Sequence, residues 1–178
     1  MASTGGTVDH YQVERSQNIS SGYTIVAANV SATNYTDTNV SADSAYLYRV
    51  RAVDADGNFS NYGNPDLATA ITFADDPLNP NGMRTLISAQ HLIELRRAVN
   101  AVRLLAGLPT ASWTYPDPGA QPQQRRNIYL EDVTDLRGKL DEALNLLGRL
   151  QPYDPDPPLT RNGPIMAAHF TQIRERVK

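Results

Sequence analysis

The chain has 178 residues, of which 40% are apolar and 20% charged, with no cysteine and a formal net charge of −3 at pH 7. This length allows one or two globular domains. The absence of cysteine excludes disulfide frameworks and thiolate metal sites. Residues 1–76 carry three basic and nine acidic side chains, and residues 77–178 carry thirteen basic and ten acidic ones. Neither part has the dense basic surface that is typical of nucleic-acid binding, and no apolar run reaches the roughly 20 residues of a membrane-spanning helix.

Short runs that alternate apolar and polar residues dominate residues 8–73 and predict β-strands. In the fourth run, even-numbered residues from Tyr46 to Ala52 share one face of the strand, and odd-numbered residues from Leu47 to Val53 share the other. The runs are separated by Gly, Asn, Asp and Ser, which favour turns. They are VDHYQVERS (8–16), YTIVAANV (23–30), NYTDTNV (34–40), AYLYRVRAVD (45–54) and LATAITF (67–73).

The run YLYRVRAVDADGNFS (46–60) resembles the sixth strand and following turn of a fibronectin type III domain. VDHYQVERS is similar to the third strand of that family, and NYTDTNV to its fifth. The resemblance implies a partial immunoglobulin-like β-sandwich over residues 1–74. It also implies that Tyr46 is the tyrosine-corner residue, whose hydroxyl binds nearby backbone. This fold serves many roles, so the resemblance implies no activity.

A complete sandwich of this class has about seven strands, and no counterpart of the first two strands precedes Val8. One sheet is therefore expected to have an uncovered inner face and an open edge. Three explanations remain: the missing strands lie upstream in a longer chain, another chain donates them, or the C-terminal helices cover the face. We favour the upstream location, and strand donation is the more specific hypothesis.

Three amphipathic helices are predicted after a linker at residues 75–84, over Ile87–Val102, Ile128–Ala143 and Ile165–Lys178. Each follows the rule I-x-x-x-[H/D]-x-x-[E/D/Q]-[L/I]-R, and its arginines, Arg96, Arg137 and Arg174, are 41 and 37 residues apart. Such a period is typical of structural repeats. Residues 85–178 are therefore predicted to form an all-α three-helix repeat module, which makes the chain α+β.

The first of these repeats, ISAQHLIELRRAVNA, resembles a helical module of large secreted or surface proteins of soil bacteria. The resemblance implies an accessory module without a catalytic role, in a longer exported chain. MASTGGTVDH lacks the regions of a signal peptide, so the alternative is a cytoplasmic protein.

Three sets of side chains are candidates for binding or structural roles. His91, Asp132 and His169 occupy one place in the repeat and would bind a divalent metal if they converged; the alternative is local hydrogen bonding in the first helical turn. The repeat arginines are expected to pair with carboxylates or loop carbonyls between repeats. Trp113 and Tyr115 lie in a loop, where they would either stack on a sugar or close a small core.

No nucleophile–base arrangement, phosphate-binding loop or cofactor motif is found in the sequence, so no catalytic residue or cofactor is predicted. We therefore expect a structural, adhesive or assembly module, with a protein partner or a second copy of the chain completing the sandwich. The alternative is a carbohydrate-binding accessory module of a larger secreted enzyme, which would bind polysaccharide.

Overall fold

The structure, a computed structural model, describes residues 7–74, 78, 87–119, 127–153, 159–161 and 163–178. Most of the predicted linker lies outside these residues. Within them the chain is α+β, as predicted, with the strands preceding the helices in sequence. The strands are β1 (Val8–Ser16), β2 (Thr24–Val30), β3 (Ala45–Asp54) and β4 (Asp66–Thr69), and the helices are α1 (Ala89–Leu105), α2 (Leu130–Leu146) and α3 (Ala167–Arg176).

The strands form one antiparallel sheet in the order β2-β1-β3-β4. Val13 lies opposite Val50, and Glu14 lies opposite Arg49. Because opposite residues in antiparallel strands share a face, the register divides the sheet into two surfaces. We call them the open face, formed by Tyr11, Val13, Arg15, Tyr46, Tyr48, Val50 and Ala68, and the helix-side face, formed by Gln12, Glu14, Ala45, Leu47, Arg49, Arg51 and Leu67.

Two predictions about the strands are wrong. Residues 34–40 have no regular secondary structure, and the last strand ends at Thr69 rather than at residue 73. A strand requires a neighbour to receive its backbone hydrogen bonds, and residues 34–40 have none among the described residues. Ala70 still bonds to the backbone of Asp43 and Ser44, and beyond it Ile71 and Phe73 pack against the apolar core.

One continuous apolar core joins the three helices to the helix-side face. Its helical part includes Leu95, Val99, Leu136, Leu140, Phe170 and Ile173, all fully buried, and its sheet part includes Ala45, Leu47 and Leu67. The helices therefore pack on the opposite side from the open face. The helices cover the face of Leu47 rather than that of Val50, because the odd-numbered residues of β3 also offer apolar side chains.

The ends of the helices differ from the predicted bounds by two or three residues. Helices α1 and α2 end in the same way, with Gly107 and Gly148 at positive φ. The N–H of Leu108 donates to the carbonyl of Arg103, and the N–H of Arg149 to that of Leu144, both at 2.8 Å. This motif satisfies the last carbonyls of a helix and lets the chain turn away. Among the described residues, no helix is both long enough and apolar enough to cross a bilayer.

Candidate functional site: the open face of the sheet

The open face carries a groove with a mostly apolar lining. Its main cavity has a volume of about 460 Å³, and a neighbouring one of about 210 Å³ shares Val13, Tyr35 and Val50 with it. Val50 at the centre of the sheet is 41% exposed, and Tyr35 is 40% exposed. The lining side chains are mostly apolar or aromatic, and they include Val13, Val40, Tyr46, Tyr48, Val50 and Ala68.

Residues 34–40 cross one side of this groove and are held there by side chains. The hydroxyl of Tyr35 donates to the carbonyl of Val26 at 3.1 Å. Arg15 donates from Nη1 both to Oδ2 of Asp37 at 2.7 Å and to the carbonyl of Asn39 at 2.6 Å. These contacts fix the segment above the sheet without backbone pairing.

Asp37 is the centre of a cluster in the groove in which its negative charge is balanced by the positive charge of Arg15. Its Oδ2 also accepts a hydrogen bond from the Tyr48 hydroxyl at 3.1 Å, and its Oδ1 accepts the N–H of Asn39 at 2.9 Å. The Arg15 guanidinium lies 4.8 Å from the centre of the Tyr46 ring. The floor of the groove is therefore electrically neutral although it contains an ion pair.

The cluster shifts the pKa values of its members in opposite directions. Burial acts to raise the pKa of Asp37, but the Asn39 N–H, the Tyr48 hydroxyl and the Arg15 guanidinium together lower it below its usual value. Burial, helped by the hydrogen bond to Asp37, raises the pKa of Tyr48 to about 12. At neutral pH the carboxylate is ionised and the phenol is protonated.

We expect the stabilising effect of Asp37 to disappear in acid. A carboxyl group whose pKa is lower in the folded state contributes stability above its unfolded pKa of about 3.9, and loses it as pH falls through the folded pKa. The free energy of unfolding of the wild type should exceed that of Asp37→Asn at pH 7, and the difference should shrink as the pH falls from about 4 through the lowered pKa of Asp37. Urea titrations of both proteins at several pH values measure this difference; a pH-independent difference would contradict the proposed role of the carboxylate.

Tyr46 anchors the end of the sheet next to this groove. Its hydroxyl accepts the backbone N–H of Ser41, five residues upstream, at 2.9 Å. The side chain is 3% exposed. This contact ties the end of segment 34–40 to β3 and thereby fixes the edge of the groove.

Where the helices do not cover the helix-side face, arginine and aromatic side chains cover it instead. Arg49 lies 4.0 Å and 3.9 Å from the ring centres of Tyr23 and Tyr62. Arg51 lies 3.7 Å and 4.7 Å from those of Phe59 and Tyr62. Guanidinium groups stacked on aromatic rings shield apolar surface while they remain partly hydrated. No comparable layer of described residues covers Val50 on the open face.

Each repeat arginine contacts the next helix in sequence, and the arginine of the last helix contacts the first. Arg96 on α1 binds Asp132 on α2 at 2.8 Å, and it also binds the loop residue Asp117 at 2.6 Å. Arg137 on α2 donates to Gln172 on α3 at 2.8 Å.

Arg174 on α3 completes this order by returning to the first helix. Its Nη2 donates to the carbonyl of Ala74 at 2.9 Å and lies 3.4 Å from the carboxylate of Glu94 on α1. The same carboxylate accepts the N–H of Ala74 at 3.0 Å. The segment that leaves β4 is therefore held between α1 and α3.

Each repeat arginine also stacks on one loop aromatic side chain. Arg96 lies 4.9 Å from the ring of Trp113, Arg137 lies 4.2 Å from Tyr153, and Arg174 lies 4.8 Å from Phe73. These three rings pack against the core. Trp113 is thus half-buried as a packing partner of Arg96, while the Tyr115 ring lies 5.1 Å from that of Tyr129.

His91, Asp132 and His169 have matching places at the starts of their helices. Each accepts the backbone N–H of the residue three positions earlier, which is Ser88, Tyr129 or Met166, at 2.9–3.0 Å. A side-chain acceptor here satisfies a backbone donor that the helix itself cannot pair. Within the described ranges, no group of three His, Asp or Glu residues is arranged to hold a metal, so the geometry favours the capping role.

Sequence reasoning did not identify Arg15, Asp37 or Tyr48 as members of a site. A signal was present, because Tyr11, Val13 and Arg15 alternate along β1 and therefore share one face of the sheet, which is the open face. A charge at such a position requires a buried partner, which could have been sought among the acidic residues of the following segments.

No protein-family model, no curated protein and no solved structure matches the chain.

Proposed function

We propose that the chain is a non-catalytic structural or adhesive module of an exported or cell-surface bacterial protein, and that it associates with a protein partner or a second copy of itself through the open face. The observation that carries this proposal is the position of the helices. They cover the helix-side face, whereas on the open face residues 34–40 cross only one side of the groove and Val50 stays 41% exposed. Exposed apolar surface of this kind marks interaction sites.

The order of the strands supports a partial fibronectin type III sandwich as the basis of this role. In immunoglobulin-like folds the third, sixth and seventh strands lie side by side in one sheet, and the fifth lies in the other. Here β1, β3 and β4 are neighbours, and residues 34–40, which resemble the fifth strand, lie off the sheet above the open face. In such a sandwich the open face is the interior surface, and the first two strands would cover it.

The cyclic contacts of the arginines support a three-repeat helical module with a scaffold role. Equivalent side chains join α1 to α2, α2 to α3 and α3 to α1, so the three repeats would form a closed ring rather than an open stack. Closed repeats bury their apolar stripes on each other. Such a ring would hold the sheet by one face and leave the other face available to a partner.

We expect the wild type to self-associate, and Val50→Lys to be monomeric. Val50 lies at the centre of the open face, and a lysine there would have to be desolvated in any complex that covers the groove. Sedimentation velocity over a range of protein concentrations measures the difference. The matched control is Ile25→Lys, because Ile25 is 54% exposed in the same sheet but pairs with Glu14 of the other face.

Self-association of wild type and Ile25→Lys, together with its loss in Val50→Lys, would support the proposal. A wild type that stays folded and monomeric at all concentrations would reject a second copy as the partner, and association that is unaffected by Val50→Lys would contradict the open face as the contact surface. Circular dichroism of the three proteins confirms that each is folded.

A further inference from the structure

The sheet and its associated segment offer three places for an incoming strand, and they are not equivalent. The outer edge of β2 pairs with β1 through a register that shifts between Tyr11 and Val13 and again between Val13 and Glu14. Such bulges twist an edge away from further pairing. β4 has only four residues, Asp66–Thr69, which gives a short ladder. The third place is segment 34–40 beside the groove.

Segment 34–40 is fixed in space while most of its backbone is unpaired. Within the described chain, none of its residues makes a backbone–backbone hydrogen bond. Only Asn39 uses its N–H and carbonyl, and both bond to side chains. Tyr35 and Asp37 hold the segment on the sheet by their side chains alone. Backbone donors and acceptors held in this way can pair with another strand at a low cost in conformational entropy.

The adjoining groove has a chemistry that suits one class of occupant. It is lined by Val13, Val40, Val50 and Ala68, and the opposite charges of the Arg15–Asp37 ion pair cancel. A neutral floor complements uncharged apolar side chains and disfavours a charged one, which would be buried without a partner. The side chains that enter the groove should therefore be apolar, while those on the opposite side of the occupant should be polar.

We infer that the occupant is an extended β-strand of a partner polypeptide, alternating apolar and polar residues, which pairs through its backbone with residues 34–40. Its apolar side chains enter the groove beside Val50. This inference rests on the proposed function and specifies the partner of the same face. A helix, or the stacked open face of a second copy, would cover the valines but leave the backbone of segment 34–40 unpaired.

Disulfide trapping tests this pairing because the chain has no cysteine of its own. The probe is a peptide of about seven residues that alternates threonine and valine and carries one cysteine. The target is Thr38→Cys, and the matched control is Thr24→Cys on β2, where the threonine is also exposed. We expect the mixed disulfide to form at least about tenfold faster at position 38, because strand pairing raises the local concentration of the peptide thiol. A peptide of the same length with a central proline should lose this advantage, since proline removes a backbone donor and disrupts the strand.

Equal trapping rates at the two positions, or faster trapping at Thr24→Cys, would overturn the inference, and so would undiminished trapping of the proline peptide. None of these outcomes affects the sedimentation result for Val50→Lys. If that result were positive while trapping failed, the open face would bind its partner without strand pairing. If both failed, the proposed function would be rejected as well.

Discussion

Replacing Arg174 with methionine is expected to lower the free energy of unfolding by about 3–5 kcal/mol, the cost of leaving a buried charge without its partner. The Arg174 and Glu94 side chains are 1% and 3% exposed. Methionine fills a similar volume but leaves the Glu94 carboxylate without a cation and the Ala74 carbonyl without this donor. Thermal and urea unfolding of the two proteins measure the change.

Two further variants separate the buried pair from a general effect of removing arginine. Arg97 pairs with Asp43 between the helices and the sheet, but both side chains are nearly half exposed. Arg97→Met should therefore cost no more than about 1 kcal/mol. Adding Glu94→Gln to Arg174→Met should recover part of the loss, because it removes the unpaired charge. A loss below about 1 kcal/mol for Arg174→Met alone would show that α3 is not held to α1 by this contact.

Asp132→Ala is expected to cost about 2–4 kcal/mol, because Asp132 has two roles at the start of α2. Its side chain accepts the N–H of Tyr129 at 2.9 Å and pairs with Arg96, and both partners of that pair are at most 3% exposed. Loss of a helix cap costs about 1 kcal/mol, and the remainder is the loss of one of the two carboxylates that bind the buried Arg96. Urea unfolding measures the total.

The equivalent repeats supply the substitution that separates these roles. Asp132→His places at this position the residue that caps α1 and α3. It should keep the cap but lose the ion pair, so it should cost about 1 kcal/mol less than alanine. A histidine variant no more stable than the alanine variant would contradict the capping role of this position.

The helices could be predicted because their sequence signals are local. The spacing of Leu92, Leu95, Val99 and Val102 requires a helix with one buried stripe, and the structure buries all four completely. The glycines at positions 107 and 148 mark where helices α1 and α2 end. The partners of Arg96 and Arg174 lie 36 and 80 residues away in sequence, so the residues alone could not identify which carboxylate each would bind.

The strands show where local signals are insufficient. NYTDTNV alternates as a strand does, but alternation creates a strand only when a neighbour is present to bond with it. The sequence of β3 does not show which of its two faces joins the core. Leu47 and Val53 on one face and Tyr46 and Val50 on the other are all candidates. Packing of α1 against Leu47 and Leu67 decides this question, and it leaves Val50 on the uncovered side.

Measuring the solvent accessibility of valine methyl groups tests most directly whether another polypeptide covers this sheet. Relaxation enhancement by a water-soluble paramagnetic agent, recorded by NMR on dilute and on associated protein, reports it for each valine. We predict that in dilute protein the Val50 methyl groups are strongly relaxed and those of the half-buried Val40 are relaxed less, and that both become protected on association. Val8, which is 45% exposed outside the groove, should remain relaxed. Methyl groups of Val40 and Val50 that remain equally accessible in the associated protein would contradict a partner bound on the open face.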